Sequence, residues 1–253
     1  GVSVLAGVNL DRLGPESRVR LTSSGTYGDP GMVNNDWIYG LDEAGRASLT
    51  SSAEDFAANL ESRNLWLGRQ SLHFSPRFAL MTTVPTGLDN RVLLPPPLPL
   101  FRNEDYLFGE MVQFLHPGSL LSEFPWAVRH DPVEVREWPT LQPERLGVKG
   151  VARYIADFIA QQTGLCHGWE AGSRLEFAAH LLFSLANMSH DELRAQVEDS
   201  RLQVLSGEIL SLQSLLERET AAPDYWRRTI EQRLQLNQQS LAKPSPALFF
   251  ELA

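Results

Sequence analysis

Cys166 is the only cysteine in the chain. An intrachain disulfide is therefore impossible, and a cysteine-built zinc site within one chain is excluded in practice. Cys166 is expected to be a small buried hydrophobe. Lysine is almost as scarce: of the 22 basic residues, only Lys149 and Lys243 are lysines. Positive charge is outweighed altogether, with a net charge of −9. Nucleic acid and anionic membranes both require a positive field, so neither is the expected partner. No apolar run reaches the length of a membrane span; the stretch from Val92 to Phe101 is apolar but holds four prolines. An initiator methionine, a basic leader and an apolar leader are all missing at Gly1. A cytoplasmic protein, and a fragment of a longer one, are the expectations that follow.

What remains is globular in composition, 43% hydrophobic and 21% charged, enough to build a core rather than a disordered segment. The character of the chain changes near residue 147. Before it, glycine, proline, tryptophan and short apolar runs dominate; after it, helical periodicity takes over. The reading is an α+β portion over residues 1–146, followed by an all-α bundle or hairpin region over residues 147–253.

In the first portion, Val2 to Val8, Arg18 to Thr22 and Phe78 to Thr83 read as strands. Asp36 to Leu41 reads as a strand or an irregular aromatic segment. Residues 53–63 read as a short helix capped by Ser52. Pro95 to Pro99 reads as an extended connector. In the second portion, Val151, Tyr154, Ile155, Phe158 and Ile159 share one helix face, with Gly164 as the stop. Leu175, Ala179, Leu182 and Ala186 mark the next helix. Ser189 with Glu192 forms a capping box for a third. In that helix Leu202, Leu205, Ile209, Leu212 and Leu216 make a narrow packing seam. After a break at Pro223, Trp226, Ile230, Leu234 and Leu241 suit an antiparallel partner. The apolar tail from Ala247 to Phe250 is expected to dock on the bundle or on another chain.

Three short segments carry chemistry. The first is Gly25-Thr26-Tyr27-Gly28-Asp29-Pro30-Gly31, whose glycines permit a tight loop and close approach to a ligand. Taken alone, an ordinary turn between two strands is the favoured reading. No Gly-Lys-Ser/Thr follows, so it is not a P-loop, and no helix pattern follows, so it is not a dinucleotide fingerprint. The second is Asn103-Glu104-Asp105 at the head of an apolar helix pattern, with Arg102 before it. Asn103 is expected to cap that helix. Backbone N–H groups favour an ionised carboxylate there, and such a carboxylate can take a proton from a sugar hydroxyl. Simple capping with dipole-friendly acids explains the same residues. The third is His130-Asp131-Pro132, after the short strand Pro125 to Val128. A neutral imidazole suits Mn²⁺-type ions; a strand-ending histidine followed by a turn is the plainer reading. Gly87 to Arg91 reads as a polar turn. Trp37, Tyr39, Trp66 and Trp126 are expected in the core, although such rings can also stack on a sugar face.

In this order the three segments resemble the second half of a GT-A-type, family 2-like, nucleotide-sugar glycosyltransferase. The resemblance covers about residues 1–140. It implies that Asp105 is the general base with Glu104 beside it, and that Gly28, Asp29 and Arg102 meet substrate. It further implies His130 as a ligand of Mn²⁺ or Mg²⁺, and a nucleotide-diphosphate sugar as donor to an unknown acceptor. The family's Asp-x-Asp motif is missing; Asn9-Leu10-Asp11 is the nearest run. The donor-binding half is accordingly expected upstream of Gly1. The helical region would then serve acceptor choice or homo-oligomerisation. The competing reading is a non-enzymatic interaction module that binds a partner through the C-terminal helical hairpin.

Overall fold

The computed structural model describes residues 15, 17–32, 34–76, 86–98, 102–134, 136–138 and 146–243. The expected strands at Val2 to Val8 and Phe78 to Thr83, the Asn9-Leu10-Asp11 run and the apolar tail lie outside the described residues. The fold is mixed α and β: a curled half-barrel sheet with seven α-helices among the described residues.

Strand β1 spans Arg18–Gly28. The alternation at Arg18 to Thr22 starts it as expected, but the glycine-rich segment does not end it. Gly25, Thr26, Tyr27 and Gly28 lie inside the strand rather than in a loop. Glycine is a poor strand former, yet here β1 is paired on both edges. Thr26, Tyr27 and Gly28 pair antiparallel with β2 (Leu65–Leu67), and Gly25 to Gly28 pair parallel with Ala127 to His130 of β5 (Ser119–His130). Two ladders outweigh the entropy of an extended glycine. Close approach also demands glycine: a Cβ on Gly25 would lie 2.6 Å from the Leu67 carbonyl oxygen.

The sheet runs β2-β1-β5-β3, with β3 at His73–Ser75; β4 (Thr86–Leu88) joins the free part of the β1 edge. The expected turn at Gly87 to Arg91 is thus partly strand. Asp89 just beyond it binds both Arg20 and Arg91. The short strand at Pro125 to Val128 is the last part of the much longer β5. Pro125 falls where the β1–β5 register shifts, a place that tolerates a residue without an N–H.

Parallel β1 and β5 need a crossover. It carries a 3-10 turn (Asp36–Gly40), α1 (Glu43–Leu49), α2 (Ala53–Glu61) and α3 (Glu104–Leu115). The irregular reading of Asp36 to Leu41 holds, with Ile38 and Tyr39 buried. Ser52 caps α2 as expected, accepting from the Asp55 N–H. Only His116, Pro117 and Gly118 separate α3 from β5, so helix and strand run antiparallel. Val112 packs on Leu21 and Leu121 of the sheet. The start of α3 therefore lies towards the ends of β1 and β5.

The helical region comprises α4 (Val151–Gln161), α5 (Ala171–Ala186), α6 (His190–Arg218) and α7 (Asp224–Leu241). The Ser189–Glu192 capping box is formed in full. Helices α6 and α7 pair antiparallel: Arg201 reaches Ser240, and Asn237 donates to Glu208. Apolar clusters join the two portions of the chain. Tyr106, Leu107, Met111, Phe114 and Leu115 of α3 pack with Ala152, Ala156 and Ile159 of α4 and with Cys166 and Ala178. Ile38, Tyr39 and Phe56 pack with Trp226 and Ile230. Among the described residues, no helix is long and apolar enough to cross a membrane.

Gly147 connects the portions with φ +75°, and a Cβ there would lie 2.8 Å from Leu205 Cγ and 3.0 Å from the Arg201 carbonyl oxygen. Gly147→Ala is expected to lower stability by about 1–2 kcal/mol through left-handed strain, with the clash adding to it. A shift of the urea midpoint to lower concentration is the readout; an unchanged midpoint would contradict the packing described.

Candidate functional site

Gly28 ends β1 with φ +108°, and a Cβ there would sit 2.3 Å from the His130 carbonyl oxygen. Only glycine fits. The backbone then folds over the end of β5: the Asp29 N–H donates to the His130 carbonyl (3.0 Å). In return His130 Nδ1 lies 2.6 Å from the Asp29 carbonyl oxygen. A carbonyl can only accept, so Nδ1 carries the proton. In the neutral ring Nε2 then keeps a lone pair, the state required of a metal ligand or proton acceptor. Residues a hundred positions apart are thereby locked together at the carboxyl ends of a parallel strand pair, where ligand sites of α/β sheets form.

The Asp29 carboxylate is already engaged. It takes a two-point ion pair from Arg63, with Nε to Oδ2 at 2.8 Å and Nη2 to Oδ1 at 2.9 Å, and accepts from the Gly31 N–H at 2.9 Å. The Arg63 hydrogen bond is the main cause holding its pKa below the ordinary carboxylate range. Arg63 in turn lies 4.3 Å over the Trp138 ring, and the Trp138 indole N–H donates to the Glu61 carbonyl. Asp29 thus anchors the segment through its side chain. Sequence reading did not find Arg63 or Trp138. Neither stands in a motif, and their partners lie far away along the chain.

The second segment meets the first. Arg102 Nη2 donates to the Gly31 carbonyl oxygen at 3.0 Å. Arg136 stands on the same spot, its Nη1 3.0 Å from where a Gly31 Cβ would be. Asn103 does not cap α3 through its side chain. It adopts φ 69°, the only positive φ among described non-glycine residues, and offers its carbonyl to the Leu107 N–H. Asparagine is among the few residues that take this conformation readily.

Asp105 differs from the expectation in its titration. The helix start was expected to favour its anion. Burial of the half-buried carboxyl instead pushes its pKa up, and this outweighs the lowering by the Tyr106 N–H, which Oδ1 accepts at 2.7 Å. The neighbouring Glu104 charge raises it further. A carboxylate with a raised pKa is a stronger base than an exposed one, because its proton affinity lies nearer the working pH.

A cleft of about 260 Å³ opens beside His130, lined by Tyr27, Gly28, Asp29, Arg63, Arg129 and Asp131 among others. Arg129 Nε and Asp131 Oδ2 pair at 2.5 Å. Among the described residues, no three His, Cys, Asp or Glu side chains gather as a metal-binding group. His130 Nε2 is left as a single candidate donor, its other ring nitrogen being held by the Asp29 carbonyl. Of the aromatic residues, Tyr39 is in the core as expected. Trp66 and Trp126 are not, being 57% and 47% exposed. No family model, no curated protein and no solved structure matches the chain.

Proposed function

We propose that this chain carries the acceptor-side and catalytic portion of a metal-dependent glycosyltransferase of the GT-A kind. The supporting observation is convergence. The glycine segment is hydrogen-bonded to His130 at one end of the sheet, and Arg102, two residues before α3, is hydrogen-bonded to Gly31 of the same segment. Nothing local requires residues so far apart in the sequence to meet.

In this reading the acceptor hydroxyl gives its proton to Asp105 as its oxygen bonds to the anomeric carbon of the donor. The bond from that carbon to the diphosphate oxygen breaks, and its electron pair leaves with the nucleoside diphosphate. Burial keeps Asp105 basic, and like-charge repulsion from Glu104 adds to it. Arg102, held at Gly31, is the side chain suited to a phosphate oxygen by its planar donor fork. His130 Nε2 would hold the ion, which when bound supplies positive charge against the leaving diphosphate. The interaction-module alternative rests on the α6 seam and on the apolar tail. The seam is partly covered within the chain, since Leu205 is buried, and Leu212 and Leu216 pack with Trp226 and Ile230; the tail lies outside the described residues.

The test is calorimetric titration of Mn²⁺ into the natural full-length protein, with and without UDP or GDP. Nucleotide-coupled binding is expected, weakened by roughly tenfold or more in His130→Ala. A protein that binds neither metal nor nucleotide would overturn the proposal.

A further inference from the structure

Tyr27 of β1 and Trp66 of β2 stand directly opposite each other across the ladder. Their rings stack, with centroids 5.8 Å apart and planes 23° from parallel. The pair is on the surface, with Trp66 57% and Tyr27 37% exposed. Gly68 makes room for the indole, because a Cβ there would come within 2.9 Å of Trp66 Nε1. Tyr27 also forms a wall of the cleft that contains Asn64, Arg129 and Asp131.

The charge of that cleft is balanced. Each of its arginines is paired with one of its carboxylates, Arg63 with Asp29 and Arg129 with Asp131. Binding a phosphate at these arginines would require breaking a pair, so the walls suit an uncharged polar ligand better than an anion. They combine the Tyr27 ring, extended beyond the cleft by the Trp66 ring stacked on it, with planar amide, guanidinium and carboxylate groups. A pyranose offers the complement: one face of C–H bonds, ringed by hydroxyls that both donate and accept. Aromatic rings supply large contact area at low entropy cost, while a few placed polar groups fix orientation.

We infer that the Tyr27–Trp66 stack and the adjoining cleft form the acceptor subsite, and that the acceptor is a neutral saccharide. The inference rests on the transferase reading and gives that reading its acceptor class. One sugar ring lies on the exposed aromatic surface, with its hydroxyls turned towards Asn64, Arg129 and Asp131.

The experiment is saturation-transfer NMR on the full-length protein. The probes are methyl glucoside, galactoside and mannoside and their disaccharides at millimolar concentration, with inorganic phosphate as the anionic comparison. Saturation of the sugar C–H protons is expected. Trp66→Ala should weaken the bound sugar by about tenfold, the upper end of one aromatic contact. Trp66→Phe should recover most of the loss, and Trp126→Ala should have no effect, because the Trp126 ring stacks on Phe124 rather than on the Tyr27–Trp66 pair. Thermal unfolding of each variant controls for folding. The inference fails if no saccharide binds, or if Trp66→Ala leaves binding unchanged. It also fails if sedimentation finds a dimer that Trp66→Ala dissociates, since a second copy would then cover the stack. Metal-coupled nucleotide binding without saccharide binding would sink the acceptor inference alone. Saccharide binding without nucleotide binding would sink the transferase and leave a sugar-binding module.

Discussion

Asp105→Asn is expected to abolish most sugar transfer without loosening the fold. Removing a general base costs roughly 10²–10⁴-fold in rate. The amide keeps the size of the side chain and can still accept the Tyr106 N–H through its oxygen, so α3 loses nothing locally. The stability response separates a catalytic role from a structural one. Burial raises the Asp105 pKa in the folded state. The folded form therefore binds this proton more tightly than the unfolded chain does. The stabilisation from that proton is complete below the unfolded carboxyl pKa and is lost as pH rises through the raised folded value. At neutral pH the carboxylate is thus a burden to the fold, and its amide should unfold at an equal or higher denaturant concentration. Loss of rate with unchanged or increased stability is the signature of a base held under strain for function. The acid limb of the transfer-rate profile should fall at a higher pH than an exposed aspartate would give. A variant that keeps its transfer rate would remove Asp105 from the mechanism. A variant that unfolds early would assign it a structural role instead.

Arg201→Met is expected to produce the largest loss of stability, about 3–5 kcal/mol, the range found when one partner of a buried charged network is removed. The side chain of Arg201 is 1% exposed. Its guanidinium donates to Glu198 one turn earlier, and to the carbonyl oxygens of Leu146, Ser240 and Lys243. One side chain therefore ties α6 to the end of α7 and to the connector beside Gly147. Methionine matches the length of the stem but donates nothing, so buried carbonyls lose their partner, at a cost of about 1–3 kcal/mol each when water cannot replace it. Urea unfolding followed by tryptophan fluorescence should move to a markedly lower midpoint, because Trp226 on α7 is itself fully buried. A shift no larger than that of an exposed arginine substitution would mean that the network contributes little.

The helices were legible to the extent that their signals are local. Ser52, and Ser189 with Glu192, announce the starts of α2 and α6 because a cap is settled within four residues. The face from Val151 to Ile159 announces α4 because a helix buries every third or fourth residue. Strands β2, β3 and β4 left no such trace. Each is three residues long, too short for an alternation to stand above chance. The glycine segment misled for a related reason: its composition describes a loop, and only pairing on both edges makes it strand.

The site divides in the same way. The sequence by itself determined the residue types at each candidate position, the Glu104-Asp105 pair in the first turn of α3, and the apolar faces that build the helices. It also determined that no disulfide could hold the chain and that no strong positive field surrounds it. Tertiary structure alone decided that Gly28 meets His130 and that Arg102 meets Gly31. It also committed Asp29 to Arg63, raised the Asp105 pKa by burial, and left Trp66 and Trp126 on the surface. The reason is physical. Caps, turns and periodicity are set by energies between near neighbours in the chain. Register, burial and ion pairing depend on which distant segments come to share a surface, and that follows from the packing of the whole chain.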